Sequence, residues 1–170
     1  YIGIPFQRNE LESLGASFYL TAKPVTISER IMTTGEIPMT TEFEHIDKAL
    51  FIRGADGWQP DDLADDQAVV IRTEKGLVIA LGCAHRGMIN TLYHAQKLTG
   101  ISEIHMVIGG SHLVGAPEER LWQTIVALKE LCVQRLGLCH CTDLPAASLL
   151  AQEFPGVFFF NKAGSVVDLP

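Results

Sequence analysis

The sequence predicts a mixed α/β fold, an α+β arrangement in which one sheet carries the site, and three observations predict it. From residue 77 onward, short apolar runs alternate with stretches of helical period, as strands alternate with helices in layered α/β domains. Three of those runs end at a histidine: 77–81 leads to His85, 104–108 to His112, and 136–138 to His140. Residues 17–37 differ, with short alternating segments separated at Pro24 and ended at Pro38, as in an antiparallel meander.

Taken in order, 4–15 reads as a loop and short helix, with Pro5 at its start, Leu11 and Leu14 on one face and Gly15 at its end. Segments 17–21, 25–28 and 31–37 read as strands, the last stopping before Pro38. Residues 38–65 are the least regular stretch and carry an acidic cluster from Asp61 to Asp66; a loop this long in a compact domain is usually functional or mobile. Ala68-Val69-Val70-Ile71 is a strand, and Glu74-Lys75-Gly76 turns it into the 77–81 strand. Leu77 to Leu81 is apolar throughout, the signature of a strand buried on both faces.

A helix follows from Met88 to about Leu98, closed by Gly100. A second opens at Pro117 with Glu118 and Glu119 in its first turn, where carboxylates complement the helix dipole. Its stripe of Leu121, Ile125, Leu128 and Cys132 follows helical spacing. A third helix covers roughly 145–154, and strands at 157–160 and 165–169 close the chain.

Bulk composition narrows the function. At 170 residues the chain fits one domain with a sizeable core. A net charge of −7 with 13 Lys and Arg argues against a nucleic-acid backbone as partner, which requires clustered cations. No apolar run approaches a membrane span, so no membrane partner is expected. Four cysteines without a Cys-x-x-Cys pair make neither a disulfide scaffold nor a zinc ribbon, and the expected compartment is the reducing cytoplasm.

His85, His112 and His140 each follow a strand and precede a loop or helix, so they can converge at one sheet edge, where imidazoles suit Zn²⁺ or Fe. That edge, beyond the carboxyl ends of the strands, is where ligands usually bind in open α/β sheets. Cys83 is a further candidate ligand, although buried cysteines are common small hydrophobes. Asp65 and Asp66 are candidate oxygen ligands, or simply part of a solvated loop. In Cys139-His140-Cys141 strand period puts both thiols on one face and the imidazole on the other, which makes His140 the ligand and the two cysteines packing residues. The turn at Arg86 and Gly87 offers free helix N–H groups for a substrate phosphate or carboxylate, and equally reads as an ordinary helix start. His45, His94 and His105 are expected to be structural.

With these turns in place, the chain resembles the metallo-β-lactamase superfamily. It is closest to the branch of dihydropterin–ribofuranosylaminobenzene phosphate synthases and related metal-dependent hydrolases. That branch has Gly-Cys-Ser-His-x-Gly, Gly-Gly-Phe-His-Leu and a late His-Cys-Thr-Gly. Here these read Gly82-Cys83-Ala84-His85-Arg86-Gly87, Gly109-Gly110-Ser111-His112-Leu113 and His140-Cys141-Thr142-Asp143. Thr34-Gly35-Glu36-Ile37-Pro38 and Asp65-Asp66-Gln67-Ala68 also match. Ala84, Ser111 and Asp143 depart from the pattern, and the superfamily's His-x-His-x-Asp-His motif is absent.

The resemblance implies the C-terminal half of an αββα sandwich, the start of which is missing from a chain that opens at Tyr1. It implies metal-dependent hydrolysis of a small-molecule phosphoester or related ester. Zn is the expected metal (Mn, Fe or Mg the alternatives), and His85, His112, His140, Cys83 and Asp66 are the candidate ligands. The general-base Asp would come from the first half, so the chain alone is expected to have little activity. Its uncovered sheet face is expected to self-associate. The contrasting expectation is a non-catalytic half-fold that binds a partner.

Overall fold

The computed structural model describes residues 3–170. Its centre is a six-stranded sheet in the order β1-β4-β5-β6-β7-β8. The strands are β1 (Ile31–Thr33), β4 (Ala68–Thr73), β5 (Gly76–Leu81), β6 (Ile104–Gly110), β7 (Arg135–Cys139) and β8 (Phe158–Phe160). The last four run parallel, while β1-β4 and β4-β5 pair antiparallel. The expectation that the 77–81, 104–108 and 136–140 segments are neighbours in one sheet holds, with Val78 opposite Met106 and Val107 opposite Leu136.

The parallel strands are joined by helices, as parallel pairing requires. These are α2 (Met88–Thr99), α3 (Glu118–Glu130) and α4 (Leu144–Glu153). Their apolar faces supply Ile89, Leu92, Ile125, Leu128 and Leu150, which close on Leu77, Ile79, Ile104, Val107 and Leu136 to form the core. Gly100 ends α2 in the left-handed conformation, as its sequence position predicts. Leu77, Val78 and Ile79 are all fully buried, so β5 is covered on both faces. Further along the face opposite the helices, Val69, Ala80 and Ile108 lie in register and are half-buried.

The first sixty-five residues contain less regular structure than their alternation suggests. The short helix α1 (Arg8–Ser13) forms where expected but buries none of its residues, and Leu14 is 85% exposed. Residues 17–21 form no strand, and 25–28 reduces to one bridge between Thr26 and Met32. The 31–37 strand is only β1, because Thr34 turns inward: its Oγ1 accepts the Ala68 N–H at 2.9 Å. Conversely, a hairpin of β2 (Phe51–Gly54) and β3 (Gly57–Pro60) occupies the stretch read as irregular. At the other end, 165–169 is not a strand. In each lost strand the alternating side chains had no paired neighbour on which to bury.

Candidate metal centre

Three turns meet at the carboxyl edge of the parallel strands, and backbone close approach brings them together. Gly109 has φ +122°, and a Cβ there would strike the Leu81 carbonyl; one at Gly110 would lie 2.7 Å from both Cys141 Sγ and the Gly82 carbonyl. Only glycine lets β6 pass this closely between its neighbours. The Gly110 N–H donates to the Gly82 carbonyl at 2.9 Å, and the Val114 N–H to the Cys141 carbonyl at 3.0 Å. Ser111 Oγ donates to Thr142 Oγ1 at 2.9 Å. Ala84, His112, His140 and Asp143 all hold positive φ, between 46° and 64°. Strained non-glycine backbone of this kind clusters at functional sites.

The side chains converge accordingly. The rings of His85 and His112 lie 4.2 Å apart between centroids, tilted by 49°. Among the described residues, the ligand atoms of Cys83, His140 and Cys141 lie within 4.8 Å of one another. Cys141 was expected to be a packing residue on the face away from His140. The strand stops at Cys139, however, and residues 140–142 wind into a 3₁₀ turn. The strand period no longer applies there, and both residues reach the same side. The Cys141 thiol donates to the Cys83 carbonyl at 3.5 Å and accepts the His112 N–H at 3.2 Å. Cys139 stays apart, its thiol directed to the Gly109 carbonyl.

Electrostatics suit a bound cation. Burial and the nearby charges of His85 and Arg120 lower the His112 pKa, so the ring is neutral and free to ligate at neutral pH. Burial and the adjoining Cys141 push the Cys83 thiol up to about 11, so it keeps its proton until a cation displaces it. Asp66 accepts the Arg86 N–H at 2.8 Å; burial raises its pKa while His85 opposes the rise. The Nδ1 atoms of His85 and His112 are buried without a hydrogen-bond partner among the described residues. Thiols, imidazoles and one nearby carboxylate form a donor set that fits zinc better than magnesium, which prefers oxygen alone.

The anion site expected at Arg86 and Gly87 is occupied from within the chain. Glu44, 2% exposed, accepts the Ile89 N–H at 2.9 Å and the Asn90 N–H at 2.7 Å, capping α2 with its own carboxylate. A Cβ on Gly87 would overlap that carboxylate. Asn90 Oδ1 in turn accepts the N–H groups of Thr40 and Thr41, each at 2.8 Å. The Arg86 guanidinium pairs with Glu36 at 2.6 Å. Sequence reasoning missed Glu44 because nothing local marks a carboxylate that caps a helix 45 residues away. The histidines expected to be structural include His94, 3.2 Å from the Thr34 carbonyl, and His105, 2.9 Å from Gln134 Oε1.

No family model matches the chain. It is 32% identical over 163 residues to the 7,8-dihydropterin-6-methyl-4-(beta-D-ribofuranosyl)-aminobenzene-5'-phosphate synthase of Methanocaldococcus jannaschii, an alignment covering 94% of the chain and 55% of that protein. It is 30% identical over 169 residues to an uncharacterised protein of the same organism, covering 99% of the chain and 61% of that protein. The crystal structure of Tm1679, a metal-dependent hydrolase of the β-lactamase superfamily, matches with a TM-score of 0.79 at 27% identity, over 90% of the chain and 58% of its own. The chain thus spans between half and two thirds of the length of these relatives.

Sheet, helices and turns together define the class: the chain has a metallo-β-lactamase-like α/β fold. Its sequence is similar to that of the methanogen pterin-phosphate synthase, whose branch the three turn motifs resemble.

Proposed function

We propose that this chain is the C-terminal part of a metal-dependent hydrolase that acts on a small-molecule phosphoester or related ester. The observation that carries the reading is the convergence of Cys83, His140 and Cys141 within 4.8 Å, beside the paired rings of His85 and His112. Cys83, His140 and Cys141 would hold a zinc ion, with Mn, Fe or Mg as alternatives, and His85, His112 and Asp66 are the further candidate donors. Bound there, the metal would act as a Lewis acid and lower the pKa of a water. The chain's own contribution is to fix the donors. The three stitched turns set the imidazoles, and Asp66 holds the His85 turn through the Arg86 N–H. The likeness to a metal-dependent hydrolase supports the hydrolase reading, and the relative named as the synthase of a 5'-phosphate compound supports a phosphorylated small molecule.

The remaining half of the site would come from a preceding segment of the same protein, so the 170-residue chain alone should turn over little substrate. The half-buried row of Val69, Ala80 and Ile108 would meet that segment, and in its absence favour self-association. Among the described residues no helix is long and apolar enough to cross a membrane. Four free cysteines suit a reducing compartment such as the cytoplasm.

The test is zinc content and phosphodiesterase or esterase turnover of the full-length protein and of this chain. Full-length protein should carry zinc and lose both zinc and activity on C141A or H140A. Zinc retention by both variants, or turnover by the chain within about tenfold of full length, a barrier difference of ~1.4 kcal/mol, would refute the reading.

A further inference from the structure

Two of the three donors that converge most closely are thiols, drawn from turns 58 residues apart in the chain. Cys83 follows β5, and Cys141 sits in the 3₁₀ turn after β7. Their sulfur atoms lie within 4.8 Å of each other, and Cys141 Sγ stands 3.5 Å from the Cys83 carbonyl. Gly110 makes room for this approach: a Cβ there would lie 2.7 Å from Cys141 Sγ and 3.2 Å from Cys83 Cα. Both cysteines are partly exposed, and both are free thiols. The other two stand apart, Cys139 directed to the Gly109 carbonyl at 3.7 Å and Cys132 exposed just after α3. A disulfide joins sulfurs at about 2.05 Å, so Cys83 and Cys141 have less than about 3 Å to close. Both lie in turns outside the paired strands, so side-chain rotation with a small backbone shift closes that gap without breaking the ladder.

We infer that Cys83 and Cys141 are an oxidation site: hydrogen peroxide converts the two thiols into one disulfide and so withdraws both sulfur donors from the metal centre. One thiol attacks the peroxide, giving a sulfenic acid and a water; the other displaces the sulfenic oxygen, which leaves as a second water. The two sulfurs together lose two electrons and two protons, and the peroxide is reduced to two waters. A reducing thiol restores the pair by exchange. Burial keeps the Cys83 thiol protonated, which slows the reaction and leaves its product unchanged. In a reducing compartment the pair rests as thiols and closes only when oxidant is present. Thiolate, not disulfide sulfur, is the metal ligand, so closure removes two of the three converging donors. The loss of metal rests on the hydrolase reading and its metal centre; the disulfide rests on the two thiols alone.

The experiment treats the full-length protein, reduced and freed of metal, with millimolar hydrogen peroxide. Remaining thiols are then alkylated and the protein is mapped by peptide mass. A linked peptide containing Cys83 and Cys141 should form at least about tenfold faster than any disulfide of Cys132 or Cys139. It should disappear with dithiothreitol and form equally in C132S and C139S. Treated in the same way with zinc bound, the protein should release about one zinc per cross-link to a chromogenic chelator, and bind it again after reduction.

Separately alkylated Cys83 and Cys141 in protein in which Cys132 has been oxidised would overturn the inference. So would preferential linkage of either residue to Cys132 or Cys139, or a cross-link that leaves zinc bound. A cross-link in protein that binds no zinc when reduced would uphold the oxidation site, and the metal reading would fail. Zinc lost on C141S in a wild type that never cross-links would do the reverse.

Discussion

Residues 68–160 and residues 3–66 are held by different forces. The first region buries a continuous apolar core, with Leu77, Ile79, Leu92, Ile104, Leu128 and Leu136 almost wholly excluded from solvent. The second contributes few buried side chains, and among them Thr34 and Glu44 are polar. Its large apolar residues stay exposed, Tyr19 at 79% and Trp58 at 72%. What anchors it is a set of long-range polar contacts: Thr34 to Ala68, Glu36 to Arg86, Thr40 and Thr41 to Asn90, and Glu44 to the start of α2. A core of apolar surface gains free energy roughly in proportion to area and tolerates imprecision. A buried polar contact depends on partners at hydrogen-bond distance and is expensive to leave unmade. The comparison teaches that the same chain folds by periodicity in one region and by individual pairings in the other.

The largest effect should come from the apolar region. Leu92→Ala opens a cavity under the sheet and should cost about 2 to 5 kcal/mol in chemical unfolding. Leu14→Ala, at an exposed position beside a helix that buries nothing, should stay within about 0.5 kcal/mol. Comparable losses at the two sites would show that the N-terminal region packs more firmly than its exposure implies.

Glu44 tests the polar anchoring. Glu44→Gln replaces one acceptor oxygen by an NH₂ group opposite a backbone N–H, and should cost about 1 to 3 kcal/mol. Burial holds the Glu44 pKa above its ordinary value, against the backbone hydrogen bonds and Arg120. A raised carboxyl pKa contributes stability that is fully present below the unfolded value and is lost as pH rises through the folded one. Wild type should therefore gain on E44Q as pH falls from 7 toward 5. Paired denaturant titrations at the two pH values check this, and a deficit that shrinks on acidification would contradict the buried-carboxylate account.

The smallest effect concerns Asp143, which has φ +64° and ψ 160°, a region that glycine occupies freely. The turn motif that the chain resembles carries glycine here. Asp143→Gly should relieve about 1 kcal/mol of backbone strain. Loss of the Leu144 N–H bond to Asp143 Oδ1, at 2.7 Å, would return part of that gain. A net change beyond about 1 kcal/mol in thermal unfolding in either direction would mean that the strain and the cap do not offset each other.

Much of this architecture was legible in the sequence because strand burial and helix amphipathicity are periodic and local. The runs at 68–71, 77–81 and 104–108 and the helices after Gly87 and Pro117 could be placed from spacing alone. The β2-β3 hairpin was not legible, because its two-residue loop is Ala55-Asp56, without the Asn-Gly or Asp-Gly pair that marks such turns, and Gly57 opens β3 opposite Gly54. Three histidines at strand ends pointed to one sheet edge, and parallel pairing in order brought those strand ends together.

Sequence alone thus determined the parallel β-α core and the edge on which the candidate ligands gather. Only tertiary structure decided which side chains meet there. Cys141 reaches Cys83 because a 3₁₀ turn replaces the last strand residues, and Glu44 takes the helix terminus that a substrate was expected to fill. The physical reason is range: apolar periodicity is written within a dozen residues, whereas a hydrogen bond or a ligand set joins atoms tens of residues apart and leaves no local trace.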